Sequence, residues 1–233
     1  MGYLARAFEH YKGLQHQREA VAKLEGMISP EVIDAFRQVF SPAKPRKQIL
    51  QVPYFTQLDN LTQPLRTCNA SSCAMALEYL RPEAIQGDDD LIDDMLNRGF
   101  DVTNHQQMTI ALRGFGLESV FRYDLSREAL EHELENGRPV VMGILHKGPS
   151  TEAWGGHMIV AVGTDPQRNS LIAHDPYGSL LNGYRGPARE GRFVTYPWSE
   201  IGPRWLVENP ESGWGRVFLN TKQEPTDAHL RAA

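Results

Sequence analysis

A thiol, an imidazole and a carboxylate stand in three short stretches of this chain whose local patterns suit nucleophilic catalysis. Residues 67–80 read TCNASSCAMALEYL, a cysteine followed by small polar residues and then by Ala74, Met75, Ala76, Leu77 and Leu80. The second half has the composition of a helix with a buried face, so Cys68 would open that helix. The first turn of a helix leaves backbone N–H groups without intrahelical acceptors and carries the positive end of the macrodipole. Both features favour a thiolate over a thiol. The plainer reading makes Cys68 a small apolar residue, as most buried cysteines are. Its companions decide between the two.

A thiolate nucleophile needs a base, a group that orients the base, and donors for the oxyanion. His157 lies in WGGHMIVAV at the start of a predicted strand, behind two glycines that admit close backbone approach and leave an open cleft. Asp175 ends the next predicted strand, in LIAHDPYG. The segment between them, TDPQRNS, is short enough for a hairpin. In a hairpin the start of one strand lies beside the end of the other, so His157 and Asp175 are predicted neighbours. Gln57, in VPYFTQ, has a side-chain amide that could donate to an oxyanion. Trp154 is predicted to form a cleft wall beside Gly156, and His146, at the end of GILH, to line the cleft.

Each of these residues also has a bland reading: a structural histidine, a turn-forming aspartate, a solvated glutamine. Together they favour a catalytic set. His174 is the nearest rival as base. It adjoins Asp175, and successive strand residues face opposite ways, so His174 faces away if Asp175 faces the site. His10, His16, His132 and His229 stand in helical or tail contexts and read as surface, and His105, near a helix start, has no assigned role. A metal site built from Cys68, Cys73, His157 and His174 lacks the close-spaced ligand pairs expected of zinc. No metal and no cofactor are expected.

The chain that must position these groups has 233 residues, enough for one large domain or a domain with an appendage. Hydrophobic residues at 41 % and charged residues at 23 % are ordinary for a soluble globular protein. A net charge of −5 argues against a general nucleic-acid binder, which needs a basic face. No apolar run approaches the ~20 residues of a membrane span. The start, MGYLARAFEHYKGL, lacks the pattern of a signal peptide, and Arg6 breaks that of a myristoylation signal. Synthesis in the cytoplasm is expected. The two cysteines, five apart on one helix, point to different faces, so a disulfide between them would be strained and a reduced state is expected. The run GDDDLIDDMLN places acids where a helix N-terminus favours them rather than in a cation loop.

Apolar spacing predicts helices over residues 3–25 and 29–40, followed by SPAKPRK, so that residues 1–47 form a helical hairpin appendage and linker. The main domain is expected over 48–220, with a tail over 221–233. It opens with a strand over 48–57, interrupted by Pro53, and continues with helices over 68–80, 87–100, 104–114 and 126–137. Strands are predicted over 117–123, 138–145, 155–165, 170–178, 191–196 and 214–220. Helices come mostly first and an antiparallel sheet second, which predicts an α+β fold with the helices packed on the sheet.

VPYFTQ, TCNASSCAMALEYL, GGHMIVAVG and AHDPYG together resemble the cysteine peptidases related to the double-glycine-leader (bacteriocin-processing) peptidases, over about residues 50–180. The resemblance implies a papain-like fold and a site of Gln57, Cys68, His157 and Asp175. Two departures stand out: that family commonly has Cys-Gly-Pro where this chain has Cys68-Asn69-Ala70, and LDNLTQPLR lengthens the gap from Gln57 to Cys68. A second likeness, carried by HYKGLQHQ, RTCNASSCAM, GILHKGP, HDPYG and GPRWLVE with SGWG, is to cell-wall lysins of phages and cyanobacteria. It implies a monomeric cysteine endopeptidase that cuts peptidoglycan stem peptides or cross-bridges, with no nucleic-acid or membrane partner. Such an enzyme would reach the wall through a holin or as a virion component. The alternatives are a protein-cleaving or acyl-transferring thiol enzyme, and a non-catalytic wall-binding or structural module with a degenerate site.

Overall fold

The computed structural model describes residues 48–219. The helical hairpin and linker predicted over 1–47 and the tail predicted over 221–233 lie outside the described residues.

A helix that is small or apolar all round must be buried all round, and this decides the place of α1 (Cys68–Leu80). Every residue from Asn69 to Leu77 is buried. Its polar side chains bond inside the protein, which fixes the rotation of the helix. Asn69 Nδ2 donates to Val102 O at 3.0 Å, and Ser72 Oγ donates to Met158 O at 3.0 Å. Ser72 lies one turn after Cys68, so the two share a helix face. The bond from Ser72 therefore aims the Cys68 side of α1 at the residue next to His157.

Four further helices follow: α2 (Asp88–Asn97), α3 (His105–Gly114), α4 (Arg127–Glu135) and α5 (Trp198–Trp205). Asn104 caps α3 by accepting from the N–H groups of Gln106 and Gln107, and Ser126 caps α4 by accepting from Ala129. The described strands are β1 (Gln48–Ile49), β2 (Glu118–Leu125), β3 (Val140–Lys147), β4 (Trp154–Asp165), β5 (Ser170–His174), β6 (Val194–Pro197) and β7 (Gly213–Leu219). They form one sheet in the order β2-β7-β3-β4-β5-β6, with β1 added against β4. All the pairings are antiparallel. The fold is the expected α+β arrangement, and β4 is the strand on which α1 rests.

Three local expectations are corrected. The strand predicted over 48–57 pairs only at residues 48–49, because Pro53 has no N–H to continue a ladder. The rest of that stretch is held by single bonds: Tyr54 Oη donates to Ala188 O at 2.6 Å, and Thr56 Oγ1 to Pro176 O at 2.9 Å. The strand predicted over 170–178 stops at His174, where the Asp175 N–H turns to Gly191 O at 2.9 Å. Helix α5 is not foreseen from the sequence, since Gly202 and Pro203 argue against it. Burial of Trp198, Ile201 and Trp205 outweighs that cost, and Arg204 pins the helix by donating to Leu145 O at 2.9 Å and Gly148 O at 2.8 Å.

Candidate active site

Register brings the imidazole and the carboxylate together. On β4, His157 pairs with Ile144 of β3. On β5, His174 pairs with Val160. One residue further, Asp175 comes alongside Ile159, on the same face as His157 and one diagonal step from it. His157 Nε2 lies 2.7 Å from Asp175 Oδ1. With Nε2 engaged, Nδ1 is the nitrogen left for Cys68, which lines the same cavity.

The electrostatics follow from these contacts. Burial pushes the Cys68 thiol up, but the hydrogen bond and charge of His157, with the N–H groups of Met158 and Asn69, bring it below its ordinary value. Burial pushes His157 down, but the charge and hydrogen bond of Asp175, with those of Cys68, raise it to about 10. A lowered thiol beside a raised imidazole favours the thiolate–imidazolium pair over the thiol and neutral imidazole. Cys68 is partly exposed, so the thiolate can meet a substrate, whereas His157 and Asp175 are buried. Such a set can attack an amide carbonyl and hand a proton to the leaving nitrogen.

Asp175 has no solvent exposure, and each oxygen is satisfied by protein. Oδ1 also accepts from the Tyr177 N–H at 3.0 Å, while Oδ2 accepts from Tyr196 Oη at 2.9 Å and Tyr184 Oη at 3.2 Å. Burial first, and the Asp175 charge second, push both phenols far above their ordinary range, so both remain donors. Gly191 lets the Asp175 backbone approach, since a Cβ there would stand 2.0 Å from Asp175 O.

Gln57 is buried, and its Nε2 donates to Pro64 O at 2.7 Å. The same carbonyl accepts from Thr67 Oγ1 at 3.4 Å, one residue before Cys68. Gln57 thus braces the loop that enters α1, and Nε2 keeps a second hydrogen. His174 faces away from the site, as strand alternation requires. Its Nε2–H donates to Val52 O at 2.9 Å and its Nδ1 accepts from the Phe193 N–H at 3.0 Å.

A cavity of about 160 Å³ opens over Cys68 and His157 and is bounded by Gly156 and by the ring of Trp214. Two of the residues expected as its walls lie outside its lining. Trp154 is 60 % exposed and its ring lies under Lys147 Nζ at 4.8 Å, so it is not among the lining residues. His146 donates from Nδ1 to Gly155 O at 2.6 Å and packs beside His157, ring centroids 5.1 Å apart, away from the lining. The aromatic wall is Trp214, which single-strand periodicity does not reveal because the approach depends on Gly143 of another strand. A Cβ on Gly143 would stand 2.0 Å from the Trp214 ring. The SGWG motif was the available signal, with a tryptophan between glycines.

The model of the Peptidase C39-like family matches residues 49–204. Among solved structures, a Bacillus anthracis protein described as a C39-like peptidase is 16 % identical, with 77 % of this chain and 100 % of that chain covered at a TM-score of 0.54. A double-glycine-motif protease from an AMS/PCAT transporter, solved in complex with the leader peptide, is 18 % identical, with 75 % of this chain and 98 % of that chain covered at a TM-score of 0.44. No curated protein matches the chain. Among the described residues no helix is long and apolar enough to cross a membrane.

Proposed function

This chain belongs to the Peptidase C39-like family and is a cysteine peptidase, and from that premise we propose that it is an endopeptidase hydrolysing amide bonds in peptidoglycan stem peptides or cross-bridges. The observation that carries the catalytic part is the contact of His157 Nε2 with Asp175 Oδ1 at 2.7 Å, beside a thiol held below its ordinary value. The wall substrate is supported by the likeness of RTCNASSCAM, GILHKGP, HDPYG and SGWG to phage and cyanobacterial lysins.

In this reading Cys68 attacks the carbonyl carbon as thiolate. The oxyanion is held by the Cys68 N–H, which has no intrahelical acceptor, and by the second hydrogen of Gln57 Nε2. His157 gives its Nδ1 proton to the leaving amine, and a thioester to Cys68 remains. Water then attacks the thioester, losing a proton to His157, and the carboxylic acid departs as Cys68 is released. Asp175 stays ionised and keeps His157 in the tautomer and orientation this needs. The enzyme acts as a monomer at the wall, reaching it through a holin or as part of a virion.

The test is incubation of wild type and Cys68→Ala with peptidoglycan of several wall types, reading soluble fragments by mass spectrometry. New free amino termini from wild type alone are expected and name the bond. Release of reducing sugars, or equal release by both proteins, would sink the thiol mechanism. No release from any wall, with Cys68 still alkylated readily at low pH, would move the substrate to a protein or the reaction to acyl transfer.

A further inference from the structure

We propose that the cavity beside Cys68 is a side-chain subsite which takes one neutral side chain, up to about the size of a benzyl group, next to the scissile bond, and that the Trp214 ring sets its size. The inference rests on the reading of Cys68 as nucleophile. Cavities of about 150 Å³ are large enough to hold benzene, and this one has about 160 Å³.

The tryptophan is placed by construction. Trp214 and Arg216 stand two apart on β7 and so share a face. The glycines on either side of Trp214 let its strand sit close to its surroundings. A Cβ at Gly213 would stand 2.6 Å from Leu125 O, and one at Gly215 would stand 2.7 Å from Val141 O. Trp205 Nε1 donates to Trp214 O at 3.1 Å and fixes the backbone from α5. The indole then lies over Gly143, where no side chain could coexist with it, and reaches to 3.7 Å from where a Gly156 Cβ would stand.

The chemistry of the remaining walls selects against charge. Asn69, Thr103, His105 and Met158 complete the lining, and none is a carboxylate, lysine or arginine. The His105 ring stacks on Phe121 with centroids 3.6 Å apart. Burial, and then the nearby Arg216, push it down to about 4, so it stays neutral. Behind it the buried Arg216 donates to His105 O, Thr109 Oγ1 and Ser119 Oγ, each at 2.8 Å. A guanidinium behind the wall repels a cationic side chain, and three of its four Nη hydrogens are taken by His105 O, Thr109 Oγ1 and Ser119 Oγ.

The experiment needs no knowledge of the natural substrate. Alkylation of Cys68 is timed by mass spectrometry with two reagent series, acetyl-X chloromethyl ketones and iodoacetyl-X amides, where X is Gly, Leu, Phe, Trp, Glu or Lys. The two series bring the side chain in from the acyl and the amine side, and each rate is divided by that of free cysteine. In wild type, Leu and Phe are expected to react at least about tenfold faster than Gly in one of the series, the scale of filling a hydrophobic pocket. Lys is expected to be slowest, and Trp to be excluded. Trp214→Ala should admit Trp and cut the Phe preference about tenfold. Gly156→Ala, whose new Cβ meets Trp214 at an ordinary contact distance, should slow Phe more than Leu and carries the test if the tryptophan variant does not fold. Equal normalised rates for all X in both series, or one unchanged profile in both variants, would overturn the subsite. Selective alkylation without release from any peptidoglycan would keep the subsite and sink the wall substrate. A Cys68 that none of the reagents alkylates would overturn the subsite and the catalytic reading together.

Discussion

The β4–β5 hairpin buries a histidine on each of its faces, and the two are driven in opposite directions. His157 is 5 % exposed and His174 is fully buried. Burial lowers both, since desolvation disfavours imidazolium wherever it acts. For His174 it prevails, and the group falls to about 4. Its hydrogen-bond partners are neutral, a carbonyl on one nitrogen and a backbone N–H on the other, and the nearby Arg192 cation lowers it further. For His157 a carboxylate at 2.7 Å and the Cys68 thiol reverse the outcome, and the group rises to about 10. Depth therefore does not distinguish a catalytic from a structural histidine in this protein. The charge of the partner does.

The comparison breaks most completely if His157 is given a neutral partner. Asp175→Asn keeps the shape, retains two phenolic neighbours and removes the charge. His157 should fall toward the behaviour of His174, and the thiolate–imidazolium pair should collapse to thiol and imidazole. Loss of kcat/KM on the order of 10⁴-fold is expected, the scale of a triad carboxylate replaced by its amide. The pH profile is the diagnostic readout. In wild type, activity should rise through the lowered Cys68 value and decline only as pH passes about 10. In the variant the alkaline decline should move down by several pH units. An unmoved alkaline limb would show that Asp175 does not set the His157 proton.

His174→Ala tests the other face. It leaves Val52 O and the Phe193 N–H without their side-chain partner inside the protein. Buried unpaired groups cost about 1–3 kcal/mol each, so denaturant unfolding should show roughly 2–6 kcal/mol lost, with kcat/KM per folded molecule unchanged. Tyr196→Phe is smaller. Asp175 Oδ2 keeps Tyr184 as donor, so a loss of about 1–3 kcal/mol in unfolding is expected, with a several-fold loss of activity. A variant as stable and active as wild type would mean that the Tyr196 bond does not support the carboxylate.

Much of this site was legible along the sequence because strand alternation and hairpin geometry act over short ranges. The α1 limits, the pairing of β4 with β5, the proximity of His157 to Asp175 and the outward turn of His174 all follow from local rules. What escaped depends on contacts distant in the chain. The phenols at 184 and 196 reach Asp175 from beyond the hairpin. Trp214 enters the cavity only because Gly143 clears its path, and nothing near Trp154 shows that this indole lies outside. Gln57 was readable as a buried-site donor type, but its bond to Pro64 belongs to the LDNLTQPLR segment, whose looping no periodicity encodes.

The finest test of the comparison is the titration of His174 itself. Its folded value near 4 lies below the ordinary value near 6.5. Between those pH values the unfolded chain binds the proton and the folded chain does not. Stability contributed by neutral His174 is therefore complete above about 6.5 and declines as pH falls toward 4. By NMR the His174 ring signals should stay fixed from pH 8 to 5, while those of a surface histidine move with a midpoint near 6.5. Movement of His174 in that range would mean that the Val52 and Phe193 contacts open readily. The two faces of the hairpin would then differ in rigidity as well as in charge.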